Sequence, residues 1–111
     1  MDNKIKSFIS SPENQYLERK SARVEPLDIL KHLVAFANAE GGSLVIGVED
    51  NGEITGFNNS KARKIEEFKN IALIKLKDSP ILPKYEIFDV KNKKGEEDKI
   101  LVISVEPAYD R

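Results

Sequence analysis

Four residues of this sequence could together do chemistry on a phosphate: Glu13, Glu18, Lys20 and Asp50. Two or three carboxylates can hold a divalent cation such as Mg²⁺ or Mn²⁺, and a lysine beside them stabilises charge on a phosphodiester. Metal-dependent hydrolysis needs such a set. Glu18 and Lys20 are two apart in an alternating stretch, so on a strand their side chains share a face. Glu13 lies five residues before Glu18 and would face away along a continuous strand or helix, so only a break between them turns it inward. Pro12 favours a break nearby. The plainer reading is a surface ion pair of Glu18 with Lys20 or Arg19, plus an Asp50 selected for its turn.

Electrostatic binding of a polyanion is the second chemistry on offer. Arg19, Lys20 and Arg23 form one basic set; Lys61, Arg63 and Lys64, Lys75 and Lys77, and Lys91, Lys93 and Lys94 form three more. The overall balance does not help, since 18 Lys and Arg stand against 19 Asp and Glu for a net charge of −1. A basic groove must therefore be local. Each set taken singly fits an ordinary solvated face, and only convergence on one surface would make them a site. Tyr16, Phe57 and Tyr85 could stack on bases if exposed, but core or half-buried positions suit them better.

Other chemistries are excluded by inventory. There is no cysteine and only one histidine, His32, so a thiolate zinc site, a cysteine nucleophile and a Ser-His-Asp triad lack their parts. His32 reads as a surface residue on the polar side of a helix. Gly41-Gly42 lacks the Lys-Ser/Thr of a nucleotide-gripping loop and ends a helix instead of starting one. Asn38 suits a tie across that helix end.

The elements that must position these residues follow from periodicity. In residues 26–40 the apolar Leu27, Leu30, Leu33, Val34 and Ala37 recur at helical spacing, with Pro26 suited to the first helical position and Gly41 to a left-handed cap. Residues 44–48 are a short apolar run, as in a strand covered on both faces; Asn51-Gly52 then predicts a tight hairpin turn with residues 53–57 returning antiparallel. A second helix is expected over residues 61–77, capped by Asn59-Ser60, with Ile65, Phe68, Ala72 and Leu76 as its inner stripe. Residues 85–90 and 100–106 read as a long hairpin. In the last strand Leu101, Ile103 and Val105 share one face and Ile100 and Val102 the other, so both faces need cover. Residues 16–24 read as a further strand, and residues 1–12 as a short amphipathic helix ending in a turn. The expected architecture is thus a single α/β (α+β) domain, a mixed sheet of about five strands with two main helices packed on it.

A chain of 111 residues fits one domain. No leader opens it and no apolar run approaches the roughly 18 residues of a membrane span, so a cytoplasmic location without membrane contact is expected. The sequence stops at Pro107-Ala108-Tyr109-Asp110-Arg111 directly after a strand. That ending reads as cut, with residues 1–111 forming the N-terminal part of a longer protein that carries further domains.

With those residues in hand, the sequence resembles the AlbA-like domain of Schlafen proteins, found also at the N-terminus of prokaryotic transcriptional regulators. The likeness is carried by Glu13-Asn14-Gln15-Tyr16-Leu17-Glu18-Arg19-Lys20, by Ala35-Phe36-Ala37-Asn38-Ala39-Glu40-Gly41-Gly42, by Ile46-Gly47-Val48-Glu49-Asp50-Asn51-Gly52 with Gly56 after it, and by Leu101-Val102-Ile103-Ser104-Val105. The resemblance implies an AlbA-like α/β fold, nucleic-acid binding, and dimers or larger assemblies. It also implies that Glu13, Glu18 and Asp50 match the acidic set with which related Schlafen domains cleave structured RNA, with Lys20 at the accompanying basic position. Arg19 departs from the pattern, standing where an aromatic residue is common. Three functions are thus on the table. The leading one is a DNA-binding transcriptional regulator's nucleic-acid module, using Arg19, Lys20, Arg23, Lys91, Lys93 and Lys94 on the phosphate backbone of DNA or RNA and requiring no cofactor. The second is an endoribonuclease with Glu13, Glu18 and Asp50 as Mg²⁺ or Mn²⁺ ligands and Lys20 on the scissile phosphate. The third is a protein-interaction or dimerisation domain, a homodimer included, in which apolar faces of the last two strands meet a partner.

Overall fold

The computed structural model describes residues 3–108, so that Tyr109, Asp110 and Arg111 of the expected cut tail lie outside the described residues. The elements are α1 (Asn3–Ser10), β1 (Leu17–Lys20), a 3₁₀ turn (Pro26–Ile29) running directly into α2 (Leu30–Ala37), β2 (Gly42–Ile46), α3 (Ile65–Leu76), β3 (Lys84–Lys91) and β4 (Glu97–Val105). The strands form one mixed sheet in the order β1-β2-β4-β3. β1 runs parallel to β2, and β4 is antiparallel to both of its neighbours.

Alternation along β4 divides the core in two, as its sequence requires. Leu101, Ile103 and Val105 join Leu44 and Ile46 under the helices, where Ile29, Leu33, Phe36 and Ala37 meet Phe68, Ala72 and Leu76. Ile100 and Val102 face the opposite way with Leu17, Val45 and Val90, and that face is covered by Ile5, Phe8 and Ile9 of α1. Most of these core side chains, among them Ile29, Leu33, Leu44, Phe68, Ile100, Leu101, Val102 and Ile103, are at most 1% exposed. Fully burying one such side chain contributes roughly 1.5–3 kcal/mol. The amphipathic N-terminal segment is therefore the lid of the second core.

Two helix starts come later than periodicity alone suggests, one because backbone groups are engaged elsewhere and one because the chain opens as a 3₁₀ turn. Lys61 N–H donates to Asn59 Oδ1 at 3.1 Å and Arg63 N–H to the Ala22 carbonyl at 2.7 Å, which holds residues 61–63 out of helical pairing. Helix α3 then opens at Ile65, where the Glu67 carboxylate accepts the Lys64 N–H at 2.8 Å. Similarly, Pro26 opens a 3₁₀ turn and α-helical bonding begins only at Leu30. At the other end Gly41 takes φ +88° and donates to the Phe36 carbonyl at 2.8 Å, a left-handed exit that glycine makes without strain.

The sheet has four strands, in keeping with the mixed sheet of about five expected, but the return strand at residues 53–57 is not one of them. Residues 53–57 return beside β2 but make only a single bridge, Val48 to Ile54. Their polar groups are drawn to other partners: the Gly47 carbonyl accepts both Thr55 and Gly56 N–H, the Ile54 carbonyl accepts Lys93 N–H at 2.8 Å, and Phe57 N–H donates to Asp98. The preceding turn also differs. Glu49 N–H donates to the Glu53 carbonyl at 2.9 Å across a three-residue loop in which only Gly52 has positive φ.

Candidate nucleic-acid interface

Lys20 ends β1, and its carbonyl accepts Gly47 N–H at 2.8 Å where the parallel strand β2 also ends. The loops leaving these two strands diverge around an open cleft of about 490 Å³ lined by Lys20, Ser21, Arg23, Val24, Glu49 and Asp50, together with part of Arg19. Carboxyl ends of parallel strands are where open α/β sheets accept ligands. The cleft is mixed in charge. Glu18 Oε1 lies 3.2 Å from Lys20 Nζ, and Glu49 lies 3.6 Å from the Arg23 guanidinium while accepting the Thr55 hydroxyl at 2.6 Å.

Arg23 also lines an adjoining cavity of about 260 Å³ with Thr55, Asn58, Asn59, Ser60, Lys61, Asn92, Lys93, Lys94 and Glu96. Three stretches far apart in sequence thus deliver four cations to one place. Lys93 is 3.3 Å from Glu53, whereas Lys61 and Lys94 have no carboxylate within ion-pairing distance among the described residues. Glu96 is the one carboxylate among the residues lining the cavity.

The walls of this cavity are held by Asp98. Only 7% exposed, its carboxylate accepts the N–H groups of Phe57 (2.8 Å), Asn58 (3.1 Å) and Lys99 (2.7 Å) and the Asn92 side-chain amide (3.0 Å). Burial pushes the Asp98 pKa up, but the amide of Asn92 and the three backbone donors together outweigh it and hold the group below the usual carboxylate value. Asn92 in turn accepts Lys94 and Glu96 N–H on its Oδ1, shaping the turn that carries Lys93 and Lys94. Gly56 sits against the same carboxylate with φ +66°, and a Cβ there would come within 2.1 Å of Asp98 Oδ2. No other residue fits.

Several sequence-predicted site residues take other roles. Arg19, expected on the polyanion face, is 3% exposed and donates from Nε to the Phe8 carbonyl at 2.9 Å and from Nη2 to the Ser11 carbonyl. Strand alternation puts it on the α1 face with Leu17, so its guanidinium ties α1 to the sheet and is not available to a phosphate. Glu13 is turned by the break at Asn14, which bridges Leu17, and its Oε2 accepts the Arg19 N–H at 2.7 Å. It closes the outer edge of β1. Lys91 pairs with Glu97 on the β3–β4 hairpin, apart from both cavities. Asp50 lines the larger cleft while Glu13 and Glu18 do not. Among the described residues no three His, Asp or Glu side chains gather as a metal ion would need. Of the aromatic rings, Phe57 packs edge-on to Phe68 at 6.1 Å, Tyr85 lies under Lys69 at 5.7 Å, and Tyr16 is exposed.

Two contributors, Asp98 and Lys61, were not legible as site residues, and His32 was misplaced. Asp98 stands in a charged linker where nothing local distinguishes it from Glu96 or Glu97. Lys61 reads as one of many surface lysines. His32, expected on the surface, has its Nε2 enclosed without a hydrogen-bond partner among the described residues. Burial holds its pKa below 6.5, opposed by Glu18 and assisted by Lys20 and Lys31.

A model of the Schlafen AlbA_2 family matches residues 13–111, which takes in every strand, α2, α3 and both cavities. The chain belongs to the Schlafen AlbA_2 family. No curated protein matches the sequence. A Schlafen AlbA_2 domain is a nucleic-acid-related domain, in keeping with a cleft and a cation-lined cavity side by side. The matched span begins after α1, the lid over the second core. Among the described residues no helix is long and apolar enough to cross a membrane.

Proposed function

We propose that this domain binds nucleic acid through its phosphate backbone, as the DNA-binding module of a transcriptional regulator. The observation that carries the reading is the meeting of Arg23, Lys61, Lys93 and Lys94 around one cavity. Lys61 and Lys94 make no close ion pair among the described residues, and Arg23 and Lys93 exchange their contacts to Glu49 and Glu53 for phosphate oxygens. Asn58, Asn59 and Ser60 add polar groups for sugar and phosphate contacts. Carboxylates on the neighbouring cleft oppose a polyanion, so the affinity is modest and strongly salt-dependent.

Fluorescence anisotropy on a labelled duplex across a salt series tests this. Four neutralised phosphates give a log–log slope of roughly −3 to −4 on duplex DNA, and the Lys61→Ala/Lys94→Ala double variant lowers its magnitude by about 2. A flat salt response, or a double variant with the wild-type slope, rejects the proposal. Cleavage by a metal held on Glu13, Glu18 and Asp50 has less support, because the Glu13 carboxylate is bonded to the β1 backbone and that of Glu18 to Lys20.

A further inference from the structure

The cation-lined cavity also gathers uncharged donors that the chain leaves free. Asn59 opens a turn closed by Ala62 N–H on its carbonyl at 3.2 Å, and within that turn the successive N–H groups of Asn59 and Ser60 find no acceptor among the described residues. The Ser60 hydroxyl and the Asn58 side-chain amide are likewise without a partner there. A second loop, residues 92–96, brings Lys94 to the same space of about 260 Å³ that Asn58, Asn59, Ser60 and Lys61 line. Both loops are fixed in advance. Asp98 accepts Asn58 N–H at 3.1 Å and the Asn92 side-chain amide at 3.0 Å, while Asn92 Oδ1 accepts Lys94 N–H at 2.9 Å, so one buried pair holds the two loops together. The lining carboxylate, Glu96, accepts the same Asn92 amide at 3.3 Å. Successive backbone N–H groups in a turn make an anion-binding concavity, and free lysines beside them add to its positive potential.

We propose that this cavity is a site for a phosphomonoester, the group that ends a phosphorylated nucleic-acid strand and that a free nucleotide also carries. Such a group presents three terminal oxygens and a charge of about −1.5 to −2, whereas a phosphodiester within a strand presents two such oxygens and a single charge. Free donors from both loops suit the larger number of oxygens and the higher charge. Size points the same way, because the space lies below the roughly 300–1,000 Å³ of sites that enclose drug-sized ligands and so fits a compact anion. A monoester also enters end-on, with one oxygen carrying the chain away, where a diester needs room for chain on both sides. The inference rests on the reading of this cavity as a phosphate site and adds which phosphate fills it.

Competition anisotropy with the full chain and a labelled 5′-phosphorylated DNA tests the site. Unlabelled competitors of one sequence carry a 5′-phosphate, a 3′-phosphate or hydroxyl groups at every end; a closed dumbbell has no ends, and a nucleoside monophosphate supplies the group without a strand. The expected result is that a phosphorylated end competes about tenfold better than hydroxyl ends or the dumbbell, the gain from one further charge-assisted hydrogen bond. Asn58→Ala/Ser60→Ala, with circular dichroism unchanged, cuts that preference below about threefold, since only uncharged donors to the extra oxygen are lost. Lys91→Ala, outside both cavities, keeps it. A nucleoside monophosphate that competes as well as the phosphorylated end supports the site and makes free nucleotides its source. Equal competition by phosphorylated ends, hydroxyl ends and dumbbell overturns the inference and leaves the backbone reading standing. So does a preference that survives in full in the Asn58→Ala/Ser60→Ala protein. Displacement by phosphorylated ends with none by the dumbbell keeps the site and rejects the backbone reading instead. A labelled probe that does not bind at all defeats both.

Discussion

Replacing Asp98 is the sharpest test of how the cation cavity is built. The Asp98→Ala variant leaves Phe57, Asn58 and Lys99 N–H and the Asn92 amide without their acceptor in a site that is 7% exposed. Each buried donor left unpaired costs about 1–3 kcal/mol, but Asn58 is exposed and water can reach it, so a total of about 3–5 kcal/mol is expected. For a domain of this size that corresponds to a fall in melting temperature of about 12–20 °C. Asp98→Asn keeps one oxygen for the backbone donors but faces its NH₂ group toward the Asn92 amide, a donor against a donor, and loses about 2 kcal/mol. The pH dependence separates this account from simple loss of packing. A carboxyl whose folded pKa lies below its unfolded value stabilises the fold above the unfolded value, near 3.9, and that contribution disappears as pH falls through the folded value. The gap in melting temperature between wild type and Asp98→Asn should therefore narrow below about pH 4. Thermal melts followed by circular dichroism between acid and neutral pH measure it. An Asp98→Ala protein that melts within a few degrees of wild type, or a gap unchanged into strong acid, refutes the reasoning.

Other outcomes follow from the same geometry. Arg19→Met should lower the urea midpoint by the equivalent of about 2–3 kcal/mol, since two carbonyls lose a charged donor, while leaving DNA affinity unchanged at matched fraction folded. Lys91→Ala, which removes an exposed ion pair outside the cavity, should change neither stability by more than about 0.5 kcal/mol nor the salt slope of binding. His32 should titrate below 6.5 by NMR, and because its folded pKa is depressed, its contribution to stability is full above the unfolded value and declines as pH falls through 6.5. An apolar His32→Leu substitution should abolish that part of the pH dependence at little cost, because Nε2 loses no partner.

Much of the scaffold is written locally in the chain. Alternation in residues 100–105 names both faces of β4, the spacing of Phe68, Ala72 and Leu76 names the buried side of α3, and Gly41 marks the helix exit, because side-chain direction repeats with the backbone and needs no knowledge of distant partners. The recurrence of acidic and glycine positions was enough to point to the Schlafen-type family. What only tertiary structure decided is which polar groups meet. Arg19 and Glu18 are neighbours in sequence, yet alternation and the docking of α1 bury one guanidinium and leave the other side chain beside Lys20. The return strand does not form because Asp98, 41 residues away, takes the N–H of Phe57. That contact also gathers Lys61 with Lys93 and Lys94. Local pattern sets which way a side chain points, whereas a charge cluster depends on where separately folded segments come to rest, and no short-range regularity encodes that.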